Sequence, residues 1–345
     1  MPEESIDHID FEELNKKAIS QPLVSHIYTA DPSAHYFDGK IYIYPSHDVD
    51  AGEAFDDLGS HFAMEDYHVI SMDSIDAEAV DNGVALHVDE VQWADKQMWA
   101  PDAAKKNETY YLFFPAKDHE GIFRIGVAVS ENPVGPFIPQ PKAIKNSFSI
   151  DPAVFEDEDG SYYMYFGGLW GGQLQRWRTG IFNKELPYSP TAHIPEDHEP
   201  ALLPIVAKMS DNLLEFAEKP KEIQILDPEG NLLLAGDTNR RFFEASWMHK
   251  HNSKYYFSYS TGDSHFICYA IGDNPYGPFT YGGKILEPVV GWTSHHSICK
   301  IDNKWYLFYH DSSLSKGVTH LRCVKMTALE HLADGSIKTI IPYKE

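Results

Sequence analysis

The sequence predicts an all-β fold, a single five-bladed β-propeller with four-stranded blades. Three observations predict it. Five segments of the 345-residue chain repeat one pattern: a polar or acidic signature, a strand, a tight turn and an aromatic strand. One Tyr recurs in each repeat, with a base period close to the length of a propeller blade. Only DFEELNKKAIS, near the start, carries a short helical pattern.

The first repeat is Asp31-Pro-Ser-Ala-His-Tyr-Phe, the turn Asp38-Gly39-Lys40 and IYIYPS. The second is WAPDAAKK, Asn107-Glu108-Thr109 and YYLFFPA. The third is Asp151-Pro-Ala-Val-Phe, EDEDGS and YYMYFGG. The fourth is Glu244-Ala-Ser-Trp-Met-His, KHNSK and YYFSYSTG, and the fifth is His295-His-Ser-Ile-Cys, KIDNK and WYLFYHD. Asn, Asp and Gly at the turns tolerate positive φ, and aromatic runs favour strands, so each unit reads as a β-hairpin. VAVSENPVGPF (127–137) and YAIGDNPYGPF (269–279) echo each other. Their Asn-Pro and Gly-Pro pairs end a third strand and lead toward a fourth. YHVISMD, PIVAKMSDNLLEF and LRCVKMTALE read as outer strands of the other three blades.

The anchors Tyr42, Tyr111, Tyr163, Tyr256 and Tyr306 lie 69, 52, 93 and 50 residues apart. The two long gaps require insertions, at 51–66 and at 171–200, which read as binding loops. No linker divides the chain. Residues 1–24 form an N-terminal extension, and 25–345 form one propeller domain.

The net charge of -24 repels phosphate backbones and anionic lipid, so neither nucleic acid nor a membrane is an expected partner. The N-terminus has no basic or apolar leader, and no stretch approaches ~20 apolar residues. The expected location is cytoplasmic unless a leader has been removed. Three cysteines without a CxxC pair argue against a disulfide framework or a cysteine zinc site. AMEDYH and PEDHEP combine acids with His but lack the HExxH spacing, so no zinc site is expected there.

In a propeller the signature residues Asp31, Asp102, Asp151, Glu244 and His295 face one another at the mouth of the central channel. Converging carboxylates are costly unless they titrate or bind a cation. Asp31 and Asp151 each precede Pro, a common turn initiator, but the fivefold register makes them members of one set.

The segments ADPSAHYFDGKIYIYPS, MWAPDAA, SIDPAVF, FFEASW and SHHS resemble glycoside hydrolase family 43, the propeller β-xylosidases, α-L-arabinofuranosidases and arabinanases. The resemblance spans most of residues 25–345. It implies an inverting mechanism, with Asp31 as general base, Glu244 as general acid and Asp151 tuning and orienting the acid. It implies substrate contacts at Trp99 and Arg322, and Trp170 is a candidate pocket wall. His295 looks like the axial histidine that contacts a central cation, usually Ca2+, through water. Asp102 reads as site-supporting, and His35, His47 and His296 as structural or pocket-lining. No organic cofactor is implied. The expected activity is exo-acting release of xylose or L-arabinofuranose from oligo- or polysaccharides. The alternatives are an endo-acting arabinanase and a non-catalytic glycan-binding propeller. A retaining fructosidase-type propeller is disfavoured, because no WMNDPNG-type signature is present.

Overall fold

The computed structural model describes residues 8–292 and 295–344. The first seven residues of the N-terminal extension, and Ser294 of the SHHS segment, lie outside the described residues. Helix α1 (Phe11–Lys17) forms where the short helical pattern stands. The Asp10 side chain caps it by accepting from the amides of Glu12 and Glu13.

Among the described residues, twenty-one strands then build five sheets. Blade 1 holds β1 (Tyr28–Phe37), β2 (Lys40–Asp48), β3 (Asp66–Met72) and β4 (Val80–His87). Blade 2 holds β5 (Ala94–Lys96), β6 (Asp102–Lys106), β7 (Thr109–Asp118), β8 (Phe123–Ser130) and β9 (Ile138–Pro139). Blade 3 holds β10 (Ala153–Glu156), β11 (Tyr162–Phe166), β12 (Ile205–Lys208) and β13 (Lys221–Glu222). Blade 4 holds β14 (Ile225–Leu226), β15 (Glu244–His251), β16 (Lys254–Ser260), β17 (Ile267–Gly272) and β18 (Phe279–Leu286). Blade 5 holds β19 (His296–Ile301), β20 (Lys304–Asp311) and β21 (Cys323–Leu329).

Each blade is an antiparallel meander that starts on its innermost strand, apart from the additions β5 and β14. The hairpin turns carry positive φ where the sequence provides for it, at Asp38-Gly39, Asn107, Asn252-Ser253 and Asp302-Asn303. The innermost strands touch in a closed ring: β1 with β6, β6 with β10, β10 with β15, β15 with β19, and β19 with β1.

Blade 5 departs from the four-stranded plan, with three strands in its sheet. The N-terminal segment and the start of β1 supply bonds to its outer edge, since Leu23 N–H donates to Val324 C=O and Thr29 N–H to Arg322 C=O, each at 2.9 Å. A bare edge strand is a template for aggregation, so this segment covers an edge and closes the ring together.

The apolar core lies between blades rather than in the channel. Ile41, Ile43 and Ile70 of blade 1 pack with Phe308 and Val324 of blade 5. Tyr44 and Tyr67 pack with Leu112 and Phe114 of blade 2. Buried Tyr hydroxyls need acceptors, and the two echoed turns supply them. Tyr44 donates to Pro133 C=O at 2.7 Å, and Tyr165 donates to Pro275 C=O at 2.8 Å. Each turn is thereby pinned by a tyrosine of the preceding blade. No helix among the described residues is long and apolar enough to cross a membrane.

Candidate active site

Three signature acids enter the channel through distorted backbone. Asp31 has φ +48°, and the β1–β2 register slips between Ala30 and Ser33. Asp151 has φ +57°, two residues before β10. In blade 4 the left-handed residue is Ala245, at +63°, within a register slip between Glu244 and Trp247. Bulges of this kind re-aim a side chain, and strained φ values concentrate at functional sites.

The acids meet in a cavity of about 350 Å³ that is lined by Asp31, Asp151, Glu244, His295 and Arg322. Asp31 and Asp151 are buried, at 5% and 4% exposure, whereas Glu244 is partly open. Arg322 Nη1 donates to Asp31 Oδ1 at 2.9 Å, and Ser46 Oγ donates to Asp31 Oδ2 at 2.7 Å. The Asp31 amide donates to His310 Nδ1 at 2.9 Å. Burial opposes ionisation of Asp31. Arg322, His310, His295 and the Ser46 hydroxyl outweigh it and bring the carboxyl down to about 2.

Glu244 sits in the opposite state. Burial, then the negative charge of Asp31, pushes its carboxyl up to about 8 against the pull of Arg322. Burial, then the charges of Glu244 and Asp31, raises Asp151 too. The Ala245 amide donates to Asp151 Oδ2 at 2.8 Å and favours ionised Asp151. Asp151 and Glu244 therefore titrate as a coupled pair, both held above the ordinary carboxylate range. At neutral pH the cavity thus sets an ionised Asp31 against a protonated Glu244, the two states that acid–base chemistry requires.

Arg322 is tied into the protein as well as facing the cavity. Its Nε and Nη2 donate to Asp48 at 2.8 and 2.7 Å, and its own amide donates to Asp48 Oδ2 at 2.9 Å. Its guanidinium lies 4.9 Å from the Phe62 ring centroid.

Both insertions wall the cavity. The first contributes Phe55, Leu58, His61 and Phe62, and the second contributes Gly171 and Gly172 beside Trp170. They press together, since a Cβ on Gly171 would stand 2.3 Å from Leu58 O. Trp99 lines the same cavity, with Nε1 donating to Phe62 C=O at 2.8 Å. Trp170 stacks on Trp292 at 5.7 Å.

His295 is buried at the channel. Its Nε2 has no hydrogen-bond partner and lies 3.8 Å from Asp151 Oδ2, while its Nδ1 accepts from the His296 amide at 2.8 Å. Burial and Arg322 pull its pKa down against the raising effect of Asp31, so the ring is neutral. Asp102 stays out of the cavity lining. It accepts from Ser33 and from the Val154 amide and meets His35 Nε2 at 2.7 Å, which joins blades 1, 2 and 3.

Four polar residues of this site escape a reading of the repeat signatures: Ser46, Asp48, His310 and Trp292. A signal for two of them exists. SHD in blade 1 and YHD in blade 5 end the second strand of each blade with the same dipeptide. Asp48 holds Arg322 and Asp311 holds Lys325 in matching buried ion pairs.

The family model for glycosyl hydrolases family 43 matches residues 19–186. A xylosidase/arabinosidase 43A of Humicola insolens is 59% identical over 328 residues, covering 93% of this chain and 99% of its own. A β-xylosidase of Xylanibacter ruminicola is 53% identical, covering 91% of this chain and 97% of its own. Among solved structures, a GH43 β-xylosidase/α-arabinofuranosidase from a compost metagenome superposes with a TM-score of 0.92 and 63% identity. The match covers 94% of this chain and 98% of that one, which was crystallised with xylotriose in a calcium-free form.

Proposed function

The chain belongs to glycosyl hydrolases family 43, and on that premise we propose that it is an inverting, exo-acting glycosidase releasing xylose or L-arabinofuranose. One observation carries the mechanism: Asp31 is ionised while Glu244 keeps its proton, in one walled cavity.

Asp31 takes a proton from water as the water oxygen attacks the anomeric carbon. Glu244 gives its proton to the departing glycosidic oxygen. Asp151 keeps the acid oriented through the Ala245 amide and is coupled to it in titration. Arg322 keeps Asp31 ionised and fixed in place. Trp99 and Trp170 offer flat apolar faces to the sugar rings. The insertions close the cavity around a chain end, which favours exo action over mid-chain cutting, and the relatives bear xylosidase and arabinosidase names.

A hard divalent cation such as Ca2+ fits the channel. The orphaned, buried His295 Nε2 beside the Asp151 carboxylate has room for a partner, and a lone imidazole suits contact through a coordinated water. His295 and Asp151 would hold it, and it would supply positive charge that favours ionised carboxylates.

Proton NMR of a cleaved xyloside should show the inverted anomer first, and a retained anomer overturns the mechanism. Glu244→Ala should lose roughly 10²–10⁴-fold on xylobiose yet keep most activity on aryl xylosides whose leaving group needs no proton. Asp31→Ala should lose both activities.

A further inference from the structure

Outside the cavity, on the rim of blade 1, a second cluster of titratable groups is left unused by hydrolysis. The AMEDYH segment lacks a helical metal spacing, but it folds as strand, and a strand places residues two apart on one face. Asp66 and His68 therefore share a face of β3, and the pairing of Ser46 with Tyr67 puts His47 of β2 opposite Asp66. His47, Asp66 and His68 each offer a ligand atom, all within 4.8 Å of one another.

One ring, that of His68, is held in the arrangement that metal-binding imidazoles use. His47 Nδ1 meets Asp66 Oδ1 at 2.6 Å, and His68 Nδ1 meets Asp81 Oδ1 at 2.8 Å. The Asp81 carboxylate on His68 Nδ1 fixes that tautomer and leaves its Nε2 lone pair available, while His47 presents Nδ1 on the same side as the Asp66 carboxylate. The two ring centroids are 4.5 Å apart. Side-chain exposures of 17% for His47, 16% for Asp66 and 11% for His68 leave the cluster open to water on one side. Asp81 is further braced by His26 Nε2 at 2.9 Å and by the Gly83 amide at 2.9 Å.

We propose that His47, His68 and Asp66 form a rim site for a borderline divalent cation of the zinc class. Two imidazoles and one carboxylate suit Zn2+, Co2+ or Ni2+ better than Ca2+, which prefers all-oxygen shells. The fourth position is left to water. The site is separate from the channel cation of His295, since none of its three residues lines the cavity. It would tie the ends of β2 and β3 together, one residue from the Asp48 that grips Arg322.

The test uses the full chain, stripped with chelator and titrated with Co2+, followed by visible absorption and calorimetry. The His295→Ala variant should still take up one equivalent at the rim with unchanged affinity. His68→Ala and His47→Gln, checked for folding by circular dichroism, should each weaken that uptake at least tenfold. The proposal is overturned if the two rim variants titrate like the unmodified chain, or if His295→Ala removes all cobalt binding.

Discussion

Asp31 and Glu244 differ by one methylene, and their surroundings set them on opposite sides of neutrality. The pH dependence follows. The proposed mechanism needs Asp31 ionised and Glu244 protonated, so kcat/KM should fall as pH rises through about 8, while the acid limb lies near 2. A profile on xylobiose checks the alkaline limb. Stability obeys the same linkage with a definite sign. The folded Glu244 carboxyl titrates above its ordinary 4.5, so its contribution is fully present below 4.5 and is lost as pH rises toward about 8. The neutral isostere Glu244→Gln escapes that loss. Its Tm advantage over the unmodified chain should therefore grow between pH 5 and pH 8, and a constant difference would contradict the burial of this acid. Arg322 lowers both carboxyls, so in Arg322→Met any residual activity should have both limbs displaced to higher pH. That variant also leaves Asp48 buried without its partner, at a cost of roughly 3–5 kcal/mol, which urea unfolding would measure.

At the scale of elements, the two insertions make the pocket, and their contact is backbone against backbone. Gly171→Ala places a methyl group against Leu58 O and the edge of Trp99. The walls must separate, so KM for xylobiose should rise several-fold with a smaller effect on kcat. The hairpins were legible in the sequence because the turn chemistry is local: Asp38-Gly39 and Asp302-Asn303 declare positive φ by residue type alone. The short helix was legible too, through the pattern of DFEELNKKAIS, and the structure adds its cap at Asp10. The three acids were legible only as a set, through the repeat. What stayed hidden is non-local. Nothing near Asp48 names Arg322, 274 residues away, as the group it holds. Trp292 lies in a loop with no repeat register, and the rim cluster forms only once β2 and β3 pair.

Across the whole molecule, the ring is closed by neighbours at opposite ends of the chain. The N-terminal segment bonds to β21, and the C-terminal segment returns to it, with Lys344 N–H donating to Lys17 C=O at 2.8 Å. Removing residues 1–24 exposes the outer edge of β21 and deletes the Leu23 bond. The truncated protein should melt several degrees lower and aggregate on heating, as calorimetry and light scattering would show.

The clamp of Arg322 on Asp48 and Asp31 crosses this same seam, from the last blade to the first. Asp31, the proposed base, thus has its counter-charge only when the ring is closed. A chain whose blades have formed but whose ring gapes has its carboxylates without their counter-charge, and it hydrolyses nothing. Turnover therefore works as a gauge of ring closure: during gentle urea titration, activity should disappear before the far-UV signal of the blades does.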